Sequence, residues 1–312
     1  MRKRRTYRKP PKPKQGLLLL LIVLIAVLSL WAISAAFGYP KPWELLFRPP
    51  KQPAAADAKT SVRFIDVGQG DCTLAVSDGR AVLIDSGETD ERDRVISYIR
   101  SLGVKKLDLV IMTHPHSDHM GEMWDVLDSI DTDRLIIPRL PEDKEPGSYL
   151  YSKLLRTADK RRVQVEKVKD AISARIGELD ITVTMPEKLG EDLNDCSAVV
   201  RIVHGENSFL VTGDCSRDEE KTLMIQRCEL SADVLKVGHH GSSTASSEAF
   251  LAAVRPRYAV ISCAKVNDYG HPSQKTLKRL KAFTSEIYTT AESGTVVFVS
   301  DGKGLTVIKE EN

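Results

Sequence analysis

The chain of 312 residues, 42% hydrophobic and 28% charged, can bury a sizeable core and fits one large domain or two small ones. Its net charge of +2 divides unevenly: the first sixteen residues carry eight Lys or Arg and no acid, which leaves 37 basic against 43 acidic residues in the rest. That mildly acidic body excludes a protein that coats nucleic acid passively, so any nucleic-acid contact must be local or metal-mediated.

The basic head, residues 1–16, runs straight into LLLLLIVLIAVLSLWAISAAF, residues 17–37, which holds no charge. At about 1.5 Å per helical residue this stretch matches the roughly 30 Å hydrocarbon core of a bilayer and predicts a transmembrane anchor. Two readings compete. One is a cleaved signal peptide, for which SAAF offers small residues although such apolar regions usually run about 7 to 15 residues; the other is a buried core helix. The Lys/Arg excess before the span predicts a single-pass protein of the cell membrane, with the N-terminus cytoplasmic and the rest extracytoplasmic, or a secreted protein if the segment is cleaved. Residues 38–60 hold five prolines and an Ala-rich end, and read as a semi-extended linker between membrane and domain.

From Ser61 to the C-terminus, residues 61–312, the pattern is that of one domain. SVRFIDVG, CTLAVSDGRAVLIDSG and LDLVIMTH are β-rich runs bounded by turn residues, with Asp78-Gly79 as a hairpin signal. ERDRVISYIRSLG has helical spacing, with Val95, Ile96 and Ile99 on one face and Gly103 as a stop. Residues 141–162 are more polar, with one helical stretch, and are read as a solvated excursion, with a rim or lid as the alternative. SAVVRIVH and NSFLVTGD are then strands, SRDEEKTLMIQRC a helix, ADVLKVG a strand, SSEAFLAAV a helix, RYAVISC a strand and SQKTLKRLKAF a helix; TVVFVS and LTVIKE are closing strands. Such alternation predicts an α/β domain with sheets packed between helices. The cysteines, Cys72, Cys196, Cys215, Cys228 and Cys263, are odd in number and form no CxxC pair, so they make no disulfide framework and read as small buried groups.

LDLVIMTHPHSDH runs an apolar strand directly into His114, His116, Asp118 and His119. Imidazole suits zinc and comparable ions and a carboxylate adds an oxygen ligand, so His114 and His116 can hold one ion while Asp118 and His119 hold a second. Two further strand ends offer donors: SFLVTGD ends in Asp214, whose carboxylate can bridge two ions, and DVLKVGHHGSS ends in His239 and His240, either of which can be the ligand. Gly213, Gly238 and Gly241 beside them let the backbone turn sharply. His204, in RIVHGENS, reads as an exposed turn residue.

These successive clusters resemble the metal-binding motifs of the metallo-β-lactamase superfamily. FIDVGQGD (residues 64–71), LKVGHHGS, AVRPRYAVIS and YGHPS are more particular and resemble the C-terminal metallo-β-lactamase domain of ComEC-type competence proteins, from about Ser61 onward. The resemblance implies a four-layer αβ/βα sandwich with two divalent metal ions, Zn or Mn, at the sheet edges. It also implies that Asp85 in VLIDSG orients a ligand histidine, with Asp66 and Asp71 as supports; plain turn chemistry is the alternative for these acids. Two departures stand out. Where many members place a further histidine some twenty residues before the bridging aspartate, this chain has LNDCSAVV, so Asn194, Asp195, Cys196 or Ser197 takes that position, with Asn194 and Ser197 similar to ComEC relatives. And one span replaces a many-helix channel, so a DNA channel is expected to be a separate partner protein.

The expected chemistry is hydrolysis by a hydroxide held between two ions, with Asp118 at the reacting centre. His271 in YGHPS, Ser242 and Ser243 are candidates to bind a phosphate oxygen or donate a proton. Resemblance makes DNA or another phosphodiester the expected substrate. A small ester, amide or β-lactam hydrolase, and a non-catalytic metal-binding module that assists DNA uptake, are the alternatives.

Overall fold

The computed structural model describes residues 57–89, 92–141 and 148–310. The expected head, span and nearly all of the linker lie outside the described residues, and among the described ones no helix is long and apolar enough to cross a membrane.

Described residues form an α/β fold with two mixed sheets. The chain first lays down β1 (Thr60–Phe64), β2 (Thr73–Ser77), β3 (Arg80–Ile84), β4 (Lys106–Ile111), β5 (Asp131–Ile137) and β6 (Gln164–Lys167) side by side. It then builds the second sheet from β7 (Ala171–Ile176), β8 (Leu179–Thr184), β9 (Val199–His204), β10 (Asn207–Val211), β11 (Val234–Lys236), β12 (Tyr258–Ile261) and β13 (Glu286–Thr289). Finally β14 (Thr295–Ser300) and β15 (Leu305–Glu310) return to the first sheet, where β14 pairs antiparallel with β1. Each sheet is antiparallel on one side and parallel on the other: β3 to β6 run parallel in the first, β10 to β13 in the second.

Local chemistry accounts for these elements. Asp78 and Gly79 both have positive φ, 52° and 74°, the conformation that a tight hairpin turn needs between β2 and β3. Parallel neighbours need crossovers, and helices supply them. They are α1 (Arg92–Ser101), the short α2 (Ser117–Met120), α3 (Met123–Ser129) and α4 (Tyr149–Arg161) beside the first sheet, then α5 (Arg217–Ile225), α6 (Glu248–Val254) and α7 (Gln274–Phe283) beside the second. Ser148, Ser247 and Ser273 cap α4, α6 and α7 by accepting the backbone N–H of the third residue of each helix, Tyr151, Phe250 and Thr276.

Alternate residues of each strand enter different layers of core, as the period of two requires. Val62, Phe64, Val82, Ile84, Leu109 and Ile111 meet Ile181, Val200, Phe209 and Val211 between the sheets. Leu74, Leu83, Leu107 and Val110 face the other way, against Val95, Ile99, Val126 and Leu154 of the helices. Leu210, Leu235 and Ile261 do the same against Leu223, Phe250, Leu251 and Leu280. The second half of the 141–162 segment is therefore no solvated excursion: α4 is the crossover from β5 to β6 and buries Tyr151, Leu154 and Ala158, with Lys153 held 3.0 Å over the Trp124 ring. His204 is likewise no exposed turn residue. It is only 7% exposed, and its ring joins the sheets by pairing with the Ser300 hydroxyl at 2.7 Å and Glu178 at 3.2 Å.

The inter-sheet layer centres on Phe298, fully buried, whose ring touches Tyr258 (5.4 Å between centroids), Phe64 (5.9 Å), Phe209 (6.0 Å) and Tyr288 (6.3 Å). Phe298→Ala is expected to destabilise the domain by about 3–5 kcal/mol in urea unfolding. A loss under about 1 kcal/mol would mean that the layer collapses freely around the missing ring.

Candidate metal centre

The cluster forms where the parallel halves of both sheets end, the edge at which open α/β sheets present their loops. Asp85 follows β3; His114, His116, Asp118 and His119 follow β4; Asp214 follows β10; His239 and His240 follow β11. The two edges are joined at the backbone where Ala198 N–H donates to Thr113 O across the sheets at 2.9 Å; within the second sheet, His239 N–H donates to Gly213 O at 3.1 Å and ties its two ligand loops together.

Among the described residues three sets of donors converge, each within 4.8 Å: His114, His119 and Asp214; Asp118, His119 and His240; and, behind them, Asp71, Asp85 and His119. His119, fully buried, belongs to all three. His114 Nε2 also lies 3.1 Å from His116 Nδ1. Of the adjacent pair, His240 is the one drawn in, 2% exposed and with Nε2 3.1 Å from Asp118 Oδ2 and 3.6 Å from Asp214 Oδ2. His239 is 28% exposed and reaches Asp214 Oδ2 only at 3.7 Å. Both hold left-handed backbone, φ 50° and 49°, a conformation rare outside glycine, and so does Asp85 at 56°.

Tautomers follow from the partners. Asp85 accepts from Thr113 N–H at 2.8 Å and the Thr113 hydroxyl at 2.6 Å, and its Oδ2 lies 2.8 Å from His119 Nδ1, where a carboxylate can only accept. Nδ1 of His119 therefore carries an N–H, and Nε2 is the nitrogen turned to the cluster. It lies 3.3 Å from Asp214 Oδ1 without hydrogen-bond alignment, and both atoms are buried with no hydrogen-bond partner. His240 repeats the arrangement, with Nδ1 donating to Ser262 O at 3.0 Å and Nε2 turned to Asp118 and Asp214. With both Nδ1 atoms committed behind them, the buried carboxylates draw positive charge to each Nε2, as a proton in the metal-free protein or as a bound cation. A divalent cation that favours nitrogen and oxygen donors fits that requirement.

Protonation equilibria register the same demand. Burial opposes charge on every group, yet Asp214 and Asp85 hold His119 well above the usual histidine range, and Asp214, Asp71 and Asp118 push His240 up to about 10. Against the same burial the imidazoles hold Asp214 and Asp118 well below the usual carboxylate range. His114, desolvated and beside His119, stays well below its ordinary value and is a neutral donor.

The other expected residues divide. Asp71 sits behind His240, with Oδ1 3.4 Å from His240 Nδ1, and Asp71 N–H donates to Asp118 O at 3.0 Å. Gly70 precedes it at φ 148°, and a Cβ there would lie 2.5 Å from Asp118 O, so the FIDVGQGD loop backs directly onto the ligand loop. The Asp66 carboxylate instead accepts from Gly68 N–H at 3.1 Å inside its own turn. At the position without a histidine, Asn194 Oδ1 lies 2.9 Å from His116 Nδ1, whereas the Ser197 hydroxyl accepts from Asp214 N–H at 3.0 Å and fixes that loop from behind. Ser242 bonds Thr244, and Ser243 O accepts from Arg217 and Arg279, so both shape the turn. His271 lines the cleft of about 300 Å³ over the cluster, with Gln69, Ser117, Asn194 and Tyr269.

Sequence reasoning missed Lys236, Thr113, Gln69 and Tyr269. Lys236 is fully buried at the end of β11, with Nζ 2.5 Å from Asp71 Oδ2 and donating to Val237 O at 2.9 Å. A lysine within ADVLKVG looks like a surface residue of an alternating strand, and only the carboxylate of Asp71, 165 positions earlier, marks it otherwise.

A family model described as the metallo-beta-lactamase superfamily matches residues 65–265. ComE operon protein 3 of Bacillus subtilis (strain 168) is 33% identical over 258 residues, 76% of this chain and 32% of that protein. Competence protein ComA of Neisseria gonorrhoeae is 28% identical over 292 residues, 89% of this chain and 38% of that protein. The chain thus spans about a third of the length of these relatives. Among solved structures, a mutant CmlA beta-hydroxylase superposes with a TM-score of 0.54 at 12% identity, covering 87% of this chain and 59% of that one, a likeness of fold alone.

Lys236→Met is expected to destabilise the metal-free protein by about 3–5 kcal/mol, because it strands a buried carboxylate, while Lys236→Met with Asp71→Asn loses less. Lys236 and His240 together outweigh the burial of Asp71 and draw its pKa down to about 2 from an ordinary 3.8. A depressed acid contributes stability above the ordinary value, so in the wild type this contribution disappears as pH falls through about 2. Urea unfolding of both variants checks the order; equal losses would detach Lys236 from Asp71.

Proposed function

Because the chain belongs to the metallo-β-lactamase superfamily and its matched relatives include competence proteins, we propose that it is a metal-dependent phosphodiesterase that cleaves DNA, tethered outside the membrane by residues 17–37. The observation that carries this reading is the pair of pinned imidazoles, His119 and His240, whose Nε2 atoms face Asp118 and Asp214 at the floor of an open cleft.

In this reading His114, His116, Asp118, His119, Asp214 and His240 hold two divalent ions, zinc or manganese, with His239 at the margin and the Asn194 amide oxygen where many members of the superfamily place a further imidazole. Bound there, such ions supply Lewis acidity and make hydroxide available near neutral pH. The chain's own groups do the rest. Asp85 and Ser262 O fix which nitrogen of each imidazole is free, and the Ser197 hydroxyl and the FIDVGQGD loop fix where Asp214 and Asp118 stand. His271 is held below the ordinary histidine value by burial and by His240 and His239, so near neutrality it is an uncharged imidazole. That state suits an N–H donated to a phosphate oxygen better than delivery of a proton to the leaving group.

DNA as substrate draws support from the competence relatives and not from surface charge, since the body is acidic. A strand would then reach the site singly and locally, handed over by a separate channel protein.

The full chain in detergent, loaded with Mn²⁺ or Zn²⁺, is expected to hydrolyse single- or double-stranded DNA, and Asp118→Ala with His119→Ala to abolish turnover and most metal uptake. Turnover of a chromogenic β-lactam with DNA untouched sinks the substrate assignment, and undiminished hydrolysis in the double variant sinks the metal site. For the tether, a phosphatase reporter fused after Asn312 should be active only outside the cell membrane; activity of a cytoplasm-only reporter there reverses the orientation.

A further inference from the structure

One aromatic ring at the cleft has no part in the chemistry above. Tyr269 lines the same cleft as Asp118, Asp214 and His240, among His, Asp, Asn, Gln and Ser neighbours, and it is 71% exposed. Its ring stacks on His271 at 5.6 Å with only 20° between planes, and His271 stacks on His240 at 6.3 Å and 24°. Three rings thus step from the candidate ligand His240 to the cleft rim, nearly parallel throughout. The last of them is largely open to solvent.

The turn that carries Tyr269 is already organised. The Asn267 amide donates to Ala264 O at 3.0 Å and His271 O at 2.7 Å, and its oxygen accepts from His271 N–H at 2.9 Å. Ala264 N–H donates to the Gln69 side chain at 3.2 Å, which ties this turn to the FIDVGQGD loop. Val266, 88% exposed, is a second apolar group on the same turn. A ring displayed in this way needs little further ordering to bind, so it would gain most of the free energy of a stacked contact.

We propose that Tyr269 is a stacking platform for a nucleobase adjoining the scissile phosphate, which makes the preferred substrate an unpaired, base-bearing strand. Every base offers a π-face whatever its identity, so such a platform binds single strands without reading sequence, and a base held inside a duplex is withheld from it. The proposal rests on the phosphodiesterase reading for its substrate and on ring geometry for its site. It also accounts for how a body of acidic charge could hold DNA, by stacking at one point in place of a basic surface.

The test uses the metal-loaded full chain in detergent with two single strands of equal length and charge, an oligothymidylate and the same strand built of abasic units. Wild type should prefer the base-bearing strand, Tyr269→Ala should reduce that preference on the order of ten-fold, and Tyr269→Phe and Tyr269→Trp should keep it. A preference unchanged in Tyr269→Ala, or lost equally in Tyr269→Phe, overturns the platform. If wild type cleaves neither strand, the phosphodiesterase reading has failed on its own account. Fluorescence anisotropy of the labelled strands on the metal-free chain then decides the platform: the same ten-fold loss of preference supports it, and equal binding by wild type and Tyr269→Ala refutes it.

Discussion

Everything around this site is arranged to keep two imidazole nitrogens from satisfying themselves. His119 and His240 each spend Nδ1 on an acceptor behind them, Asp85 for one and Ser262 O for the other, and so turn Nε2 toward the carboxylates of Asp214 and Asp118. In water such an arrangement would relax by rotation. Here His119 is sealed in the core and His240 sits in left-handed backbone between Gly238 and Gly241, so neither ring can turn away. The fold concentrates a demand for positive charge at one place, which a proton on each imidazole meets in the metal-free protein and a bound cation can take over.

That place is set by architecture more than by any one loop. Each sheet contributes its parallel half, and each parallel half ends where its loops meet those of the other sheet. The ligand loop after β4 has backbone partners on three sides: Asp71 N–H on Asp118 O, Ser86 N–H on His119 O and Ala198 N–H on Thr113 O. The buried Lys236 and Asp71 pair adds a charged tie between the end of β11 and the loop before β2. Such pairs contribute little net stability, but they tolerate little displacement, which suits a site whose donors must hold their positions to a few tenths of an ångström.

Much of this was legible in the chain because the signals were local. An apolar strand running into HPHSDH, Asp214 after SFLVTG and a Gly-flanked histidine pair each announce a strand end with donors, and the resemblance to the metallo-β-lactamase motifs joins them, with Asp85 after VLI, into one chemistry. What escaped was held by partners far away in sequence. His204 reads as a turn residue until Ser300 and Glu178 enclose it, and Lys236 reads as surface until Asp71 does. The helix of residues 149–161 looked solvated because its apolar face, Tyr151, Leu154 and Ala158, is narrow and its partners on α3 are not adjacent to it. At the position without a histidine the sequence left Asn194, Asp195, Cys196 and Ser197 open; the three-residue turn Asn194–Cys196 directs the first to the cleft and leaves Ser197 behind it.

The pairing of β1 has a consequence in time. The loop that backs onto Asp118 hangs from β1 and β2, and the other edge of β1 is covered by β14, almost the last strand to be made. Until residues 295–300 exist, β1 is an unprotected edge and the loop beneath the ligands has half its support. The topology implies that the donors after β3 and β4 are not locked until β14 has paired with β1, so the cluster matures only after that pairing. In whatever compartment that closure takes place, that is where the cluster first becomes able to hold a cation.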